Sequence, residues 1–155
     1  MPNSRDWNKR EWDERNRNVV EEFRAKGGRD GLILLTTTGA KSGQPRTTPL
    51  VYTPDGDRII IIASKGGYPS HPDWYHNLVA HPDATVELGR ERFPVRTIVS
   101  AGAERQRLFD QMAAQMPFFA EYQKNTSRQI PVIILERVPQ HDGAVWQGRL
   151  ERGEA

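Results

Sequence analysis

The sequence predicts a mainly β, α+β domain, a small antiparallel β-barrel with peripheral helices. Three observations lead there. Between residues 31 and 64 the β-branched runs "GLILLTTT", "RTTPLVYT" and "RIIIIAS" follow one another across short turns, and strands joined so closely pair antiparallel. Further strand-like runs, "ATVEL", "ERFPVRTIVS" and "IPVIILERV", lie beyond residue 83. Helical spacing of apolar residues is confined to the N-terminus and to the later connections.

Taken in order, residues 6–26 read as a charged helix ended by Gly27-Gly28, with Trp12, Val19, Val20 and Phe23 at helical spacing. It is either an ordinary docked helix or a lid that uses Trp7 and Trp12 to meet a membrane or a lipophilic ligand. Strands at 31–38 and 46–53 flank a turn with two glycines. "PDGD" (54–57) is a second turn, and a strand buried on both faces follows at 58–64. A loop with Gly66-Gly67 leads to a short helix over 74–79 that stops before Pro82. Two strands surround Gly89, helices follow near 103–115 and 118–124, and a last strand precedes a polar tail. This makes about six strands and three or four helices. The implied division is an N-terminal charged helix (1–28), a barrel domain (29–138) and the tail (139–155).

Composition narrows the function. The 155 residues suit one domain, 36% of them hydrophobic and 27% charged. Basic residues outnumber acidic ones by only 22 to 20 and are interleaved with them, which disfavours a nucleic-acid partner. The absence of cysteine excludes disulfides and thiolate chemistry. The longest apolar run, "IIIIA", is far short of a membrane span of roughly 20 residues. The N-terminus is too charged for a secretory signal. A cytoplasmic location is expected, with membrane association only through the first helix.

Most catalytic signatures are missing. No G-x-S-x-G, Walker-type or G-x-G-x-x-G motif is present. His71, His76 and His81 recur every five residues, but five helical residues turn through roughly 500°, so their side chains should diverge. No metal is expected. An anion site remains. Lys41 and Arg46 flank Ser42 and Gly43 in one turn, and Ser64-Lys65-Gly66-Gly67 ends a later strand. If 46–53 pairs with 58–64 through the 54–57 turn, these cations and loop N–H groups meet at one rim, where they suit phosphate or carboxylate. The alternative is a solvated basic loop. Trp74 and Asn77, spaced i, i+3, share a helix face that suits a flat polar heterocycle, or else Trp74 is core.

"TTTGAKSGQPRTTPL", "IIASKGG", "PDWYHNLVAHPDATVEL" and "IPVIILERV" resemble the deazaflavin-dependent nitroreductase family, over about residues 30–138. The resemblance implies a split β-barrel that binds coenzyme F420, in the FMN-binding split-barrel superfamily. It places Gly39, Lys41, Ser42, Gly43 and Arg46 at the coenzyme's phosphate and acidic tail, and Thr48 and Pro49 beside the ring. Ala63, Ser64, Lys65 and Gly66 match a second coenzyme loop, and Trp74 and Asn77 match helix contacts. The implied reaction is hydride transfer from reduced F420 to a small acceptor such as a quinone, an activated alkene or a nitroaromatic. Ser64 and Tyr122 are the candidate catalytic hydroxyls, and Met116, Phe119 and Tyr122 the candidate acceptor site. Family members often carry several tyrosines where this chain has Met116, Phe118 and Phe119, so a greasier pocket and weak nitroreduction follow. Alternatives are a non-catalytic F420 carrier and an FMN-dependent oxidoreductase on the same barrel. A homodimer is compatible with either.

Overall fold

The computed structural model describes residues 8–139. Trp7 and the tail from residue 140 lie outside the described residues. Helix α1 (Lys9–Lys26) starts at Asn8, whose side chain accepts the Glu11 N–H at 3.1 Å, satisfying one of the orphan donors of the first turn. Gly27 ends it at φ 74°, returning its N–H to the Phe23 carbonyl. Phe23 is the one residue of this helix that is buried, so α1 docks by a narrow contact.

Seven strands make one antiparallel sheet: β1 (Leu32–Thr38), β2 (Pro45–Val51), β3 (Thr53–Asp55), β4 (Arg58–Ile62), β5 (Asp83–Leu88), β6 (Glu91–Val99) and β7 (Val132–Arg137). Their order is β2-β1-β5-β6-β7-β4-β3. Only Tyr52 separates β2 from β3, yet these strands stand at opposite ends of that order, so the sheet curls into a split barrel. Helix α2 (Asp73–Ala80) follows a short 3-10 turn at Lys65–Gly67. Helices α3 (Gly102–Gln115) and α4 (Phe118–Lys124) fill the connection from β6 to β7.

One expectation fails here. The expected pairing of 46–53 with 58–64 is not formed, apart from Thr53 opposite Ile60. Instead β2 pairs along its whole length with β1, placing Arg46 opposite Thr37, while Thr53–Asp55 alone pairs with β4. Pro45 and Pro49 lack the N–H groups needed to pair on two sides, so β2 is an edge strand. The partner switch at Tyr52 also accounts for the seventh strand.

The isoleucine run behaves as its composition predicts. β4 lies between β7 and β3, and its alternating side chains enter two different cores. Ile59, Ile61 and Ala63 join Ile33, Leu35, Val86, Trp74 and Leu78 inside the barrel. Ile60 and Ile62 join Leu108, Met112 and Phe119 beneath α3 and α4. The β4–β7 register sets Ile61 opposite Ile133 and Ile60 opposite Ile134, and each pair shares a core. A slip of one residue would exchange the two faces.

Candidate functional site

The turn between β1 and β2 is built mainly from its own backbone. Gly39 donates to the Gln44 carbonyl at 2.8 Å and Gly43 donates to the Gly39 carbonyl at 3.0 Å. Ser42 Oγ accepts the Gln44 N–H at 3.1 Å, the local hydroxyl-to-backbone bond typical of turns. A Cβ on Gly39 would collide with Ser42 Oγ, so a larger residue there would displace the hydroxyl that closes the turn. The Asn77 side-chain oxygen, from α2, accepts the Ala40 N–H at 2.9 Å. Among the described residues only the Lys41 and Ser42 N–H groups of the turn have no acceptor, and neither Lys41 nor Arg46 has an ion pair or hydrogen-bonding side-chain partner. The rim charge therefore sits chiefly on two exposed, unneutralised side chains.

These cations face a cleft of about 1190 Å³. Its walls are the turn with the start of β2 (Gly39, Lys41, Ser42, Arg46 and Thr48), α2 (Trp74 and Asn77) and one face of α1. Trp74 is 6% exposed and belongs to the barrel core as well as to the cleft wall. Both readings of that indole are therefore true. Arg46 and Thr48 share a strand face with Thr37 and Leu35 through the β1–β2 register. Thr37 in turn accepts a hydrogen bond from the Asn77 amide at 3.0 Å. Gly43 sits at the tip of the turn at φ 70°, and Pro49 lies one position farther along β2, on the opposite strand face from Thr48.

The second loop lies apart from that cleft wall. Ala63 is fully buried and Ser64 is 8% exposed. Lys65, Gly66 and Gly67 have φ values of 47°, 64° and 84°, three successive left-handed residues of which only the glycines are suited to it. Arg128 holds the loop. Its guanidinium donates to the carbonyls of Ser64 (2.7 Å), Tyr68 (3.0 Å) and Ala63 (3.2 Å), and contacts His71 Nδ1 at 3.0 Å. Burial, then the charges of Arg128 and His76, pushes the His71 pKa below its ordinary value, so this ring is a neutral acceptor at Nδ1. The His71 and His76 ring centroids stand 5.7 Å apart, closer than helical divergence predicts, because His71 precedes α2 and does not ride on it.

The candidate acceptor residues sit on the α3–α4 side. Phe119 is 3% exposed within the second core, against which Met116 and Tyr122 pack. Tyr122 joins Phe118 and Phe119 in an aromatic cluster with centroids 4.5–6.0 Å apart. The structure does not bring these three residues into the cleft that holds Lys41, Arg46 and Trp74. It does set α4 against the second loop: a Cβ on Gly67 would lie 3.0 Å from the Tyr122 carbonyl oxygen. Neither the Ser64 nor the Tyr122 hydroxyl has a hydrogen-bond partner among the described residues.

Two arginines escape sequence reading. Arg105, 5% exposed, donates to the Ile130 carbonyl at 2.6 and 3.2 Å and to Gln123 at 3.0 Å. Gln123 donates to the Arg128 carbonyl at 2.8 Å. This chain of bonds links α3 and α4 to Arg128 and so to the second loop. No short motif signals it, because its partners are mostly carbonyls that any residue supplies.

The family model for F420H(2)-dependent quinone reductase matches residues 7–137. The chain is 46% identical over 110 residues to an F420H(2)-dependent quinone reductase of Mycobacterium tuberculosis, spanning 68% of this chain and 72% of that one. A solved F420-H2-dependent reductase is 40% identical, with a TM-score of 0.64 over 69% of this chain and 95% of that one. A solved domain-swapped dimer is 36% identical, with a TM-score of 0.66 over 79% and 95%. Membership in this family is narrower than the nitroreductase resemblance and agrees with it in coenzyme and barrel. Among the described residues no helix is long and apolar enough to cross a membrane. Sequence, barrel topology and solved relatives agree: the chain belongs to the F420H(2)-dependent quinone reductase family.

Proposed function

We propose that this chain binds F420 in the cleft between the β1–β2 turn, α2 and α1, and reduces quinones with it. The observation that supports this reading best is the pairing of unneutralised Lys41 and Arg46 with the Trp74 wall around one cleft. A ligand joining a flat heterocycle to a phosphodiester and carboxylates fits that donor set. When bound, the reduced coenzyme supplies a hydride from C5, and a quinone that receives it with one proton leaves as the hydroquinone.

The chain's own groups have separable tasks. Lys41 and Arg46 neutralise phosphate and tail, Arg46 by a bidentate fork. Gly39, Ser42 and Gly43 hold the turn in shape, with Asn77 bracing it from α2. Thr48, Pro49 and Trp74 shape the ring's surroundings. Ala63, Ser64, Lys65 and Gly66 form the second loop, held by Arg128. The Ser64 and Tyr122 hydroxyls lie outside the cleft, on the side of the second loop. An acceptor entering from that side would meet them as donors to the oxygen on which charge develops, which needs no shifted pKa. Met116 and Phe119 give the acceptor side its apolar character.

Titration with F420 and with FMN, each followed by fluorescence, tests the coenzyme. Oxidation of the reduced coenzyme by quinones, enones and nitroaromatics then tests the reaction. F420 selectivity with quinone-dependent turnover is expected; tight F420 binding without turnover on any acceptor points to a carrier instead. The domain-swapped relative supports a homodimer, which light scattering on the purified protein checks.

A further inference from the structure

Helix α1 meets the cleft through a single stripe: Lys9, Asp13, Asn16, Arg17, Glu21 and Arg24 recur at three- and four-residue spacing along one wall. Both ends of the stripe are fastened. At the N-terminal end Lys9 lies 3.2 Å from Asp13 and 3.4 Å from Asp73 of α2. At the C-terminal end Arg24 grips Glu87 of β5 through two bonds of 2.7 and 3.0 Å. These clips hold the middle of the helix across the cleft, opposite the turn.

Arg17 occupies that middle position. Asp13, four residues back, is engaged by Lys9, and Glu21, four residues on, makes no ion pair with Arg17 among the described residues. Among the described residues the exposed Arg17 guanidinium therefore lines the cleft without a counter-ion, as Lys41 and Arg46 do on the facing wall. Among the described residues, exposed arginines without ion pairs occur elsewhere, at Arg29 and Arg96 for example, but neither lines this cleft. Among the described residues of α1 that line the cleft, Val20 is the only apolar one.

We infer that Arg17 is a ligand-binding residue that takes a carboxylate of the acidic tail of the same ligand held by Lys41 and Arg46. The inference rests on the proposed reading of the cleft as the F420 site. Asp13 and Glu21 line the same wall, so α1 supplies one cation for one carboxylate and not a basic face. With a ring held on the Trp74 side of the cleft, a tail reaching across it would meet α1.

The test is a fluorescence titration with two probes, intact F420 and the deazaflavin riboside that lacks both phosphodiester and tail. Arg17→Ala should weaken intact F420 by about twofold to fivefold at low salt, leave riboside binding unchanged and leave the melting temperature unchanged. Arg17→Lys should keep most of the affinity, and Arg17→Glu should lose more than alanine. High salt should shrink these differences. Unchanged F420 affinity in Arg17→Ala, where Lys41→Ala is weakened, overturns this inference alone. Equal losses on both probes overturn it too, since the contact would then not be with the tail. Failure of the wild type to bind either probe overturns the coenzyme reading itself.

Discussion

Asn77 and Ala40, thirty-seven residues apart, are joined by a 2.9 Å hydrogen bond from the Ala40 N–H to the Asn77 side-chain oxygen. The amide nitrogen of Asn77 reaches on to Thr37 Oγ1 at 3.0 Å. One buried side chain thus fixes the cationic turn to α2, and so fixes Lys41 relative to Trp74. Asn77→Ala leaves two polar groups without a partner, which should cost about 1–3 kcal/mol of stability and weaken F420 binding. Asn77→Asp keeps the bond to Ala40 but cannot donate to Thr37, so it should fall between. Urea melts beside coenzyme titrations check both effects.

The second loop should respond to acid. Protonated His71 cannot accept at Nδ1 and would face the Arg128 guanidinium, with His76 and the Tyr75 ring beside it. Its pKa is lowered on folding, first by burial. The stabilising contribution is therefore complete above the ordinary histidine value, near 6.5, and is lost as pH falls below it. Wild type should lose more stability between pH 7 and 5 than His71→Gln, which keeps an acceptor. Chemical denaturation at stepped pH values reads the difference, and equal slopes contradict the clamp.

Gly67 tests the contact between that loop and α4. At φ 84°, with Tyr122 backbone atoms 3.0 and 3.2 Å from an added Cβ, Gly67→Ala combines backbone strain with a clash. A loss of about 1–3 kcal/mol is expected. Gly31→Ala, also at positive φ but with nothing within 4 Å, should cost less. Thermal melts of the two variants separate strain from clash.

Ser64 and Tyr122 divide binding from chemistry. Ser64→Ala and Tyr122→Phe should lower quinone turnover by about a hundredfold to a thousandfold while leaving F420 affinity nearly unchanged. Stopped-flow oxidation of the reduced coenzyme measures the first and equilibrium fluorescence the second.

Much of this molecule was legible before the fold was known. "GLILLTTT" named a strand by its apolar and β-branched residues, "RIIIIAS" a strand buried on both faces because only such burial accommodates the run, and Gly27-Gly28 marked a helix end. Composition located the turn's charge, though not its backbone, whose N–H groups are mostly consumed internally. What stayed hidden depends on distance along the chain. The exchange of partners at Tyr52 cannot be seen in local pattern, since both halves of 46–55 are equally strand-like. Nor could spacing show that α1, read as either an ordinary docked helix or a lid, lies along the cation turn. Arg105 and Arg128 bond mainly to carbonyls, which leave no trace in side-chain identity.

The central claim is that the cleft beside Lys41 and Arg46 holds F420, and its most direct test is the dissociation constant measured by fluorescence for wild type, Lys41→Ala and Arg46→Ala at low salt. Each substitution should weaken binding by about 1.5–3 kcal/mol, the range for a hydrogen bond to a charged group, with unchanged melting temperatures because both side chains are exposed and unpaired. Wild-type affinity in both variants would contradict the account.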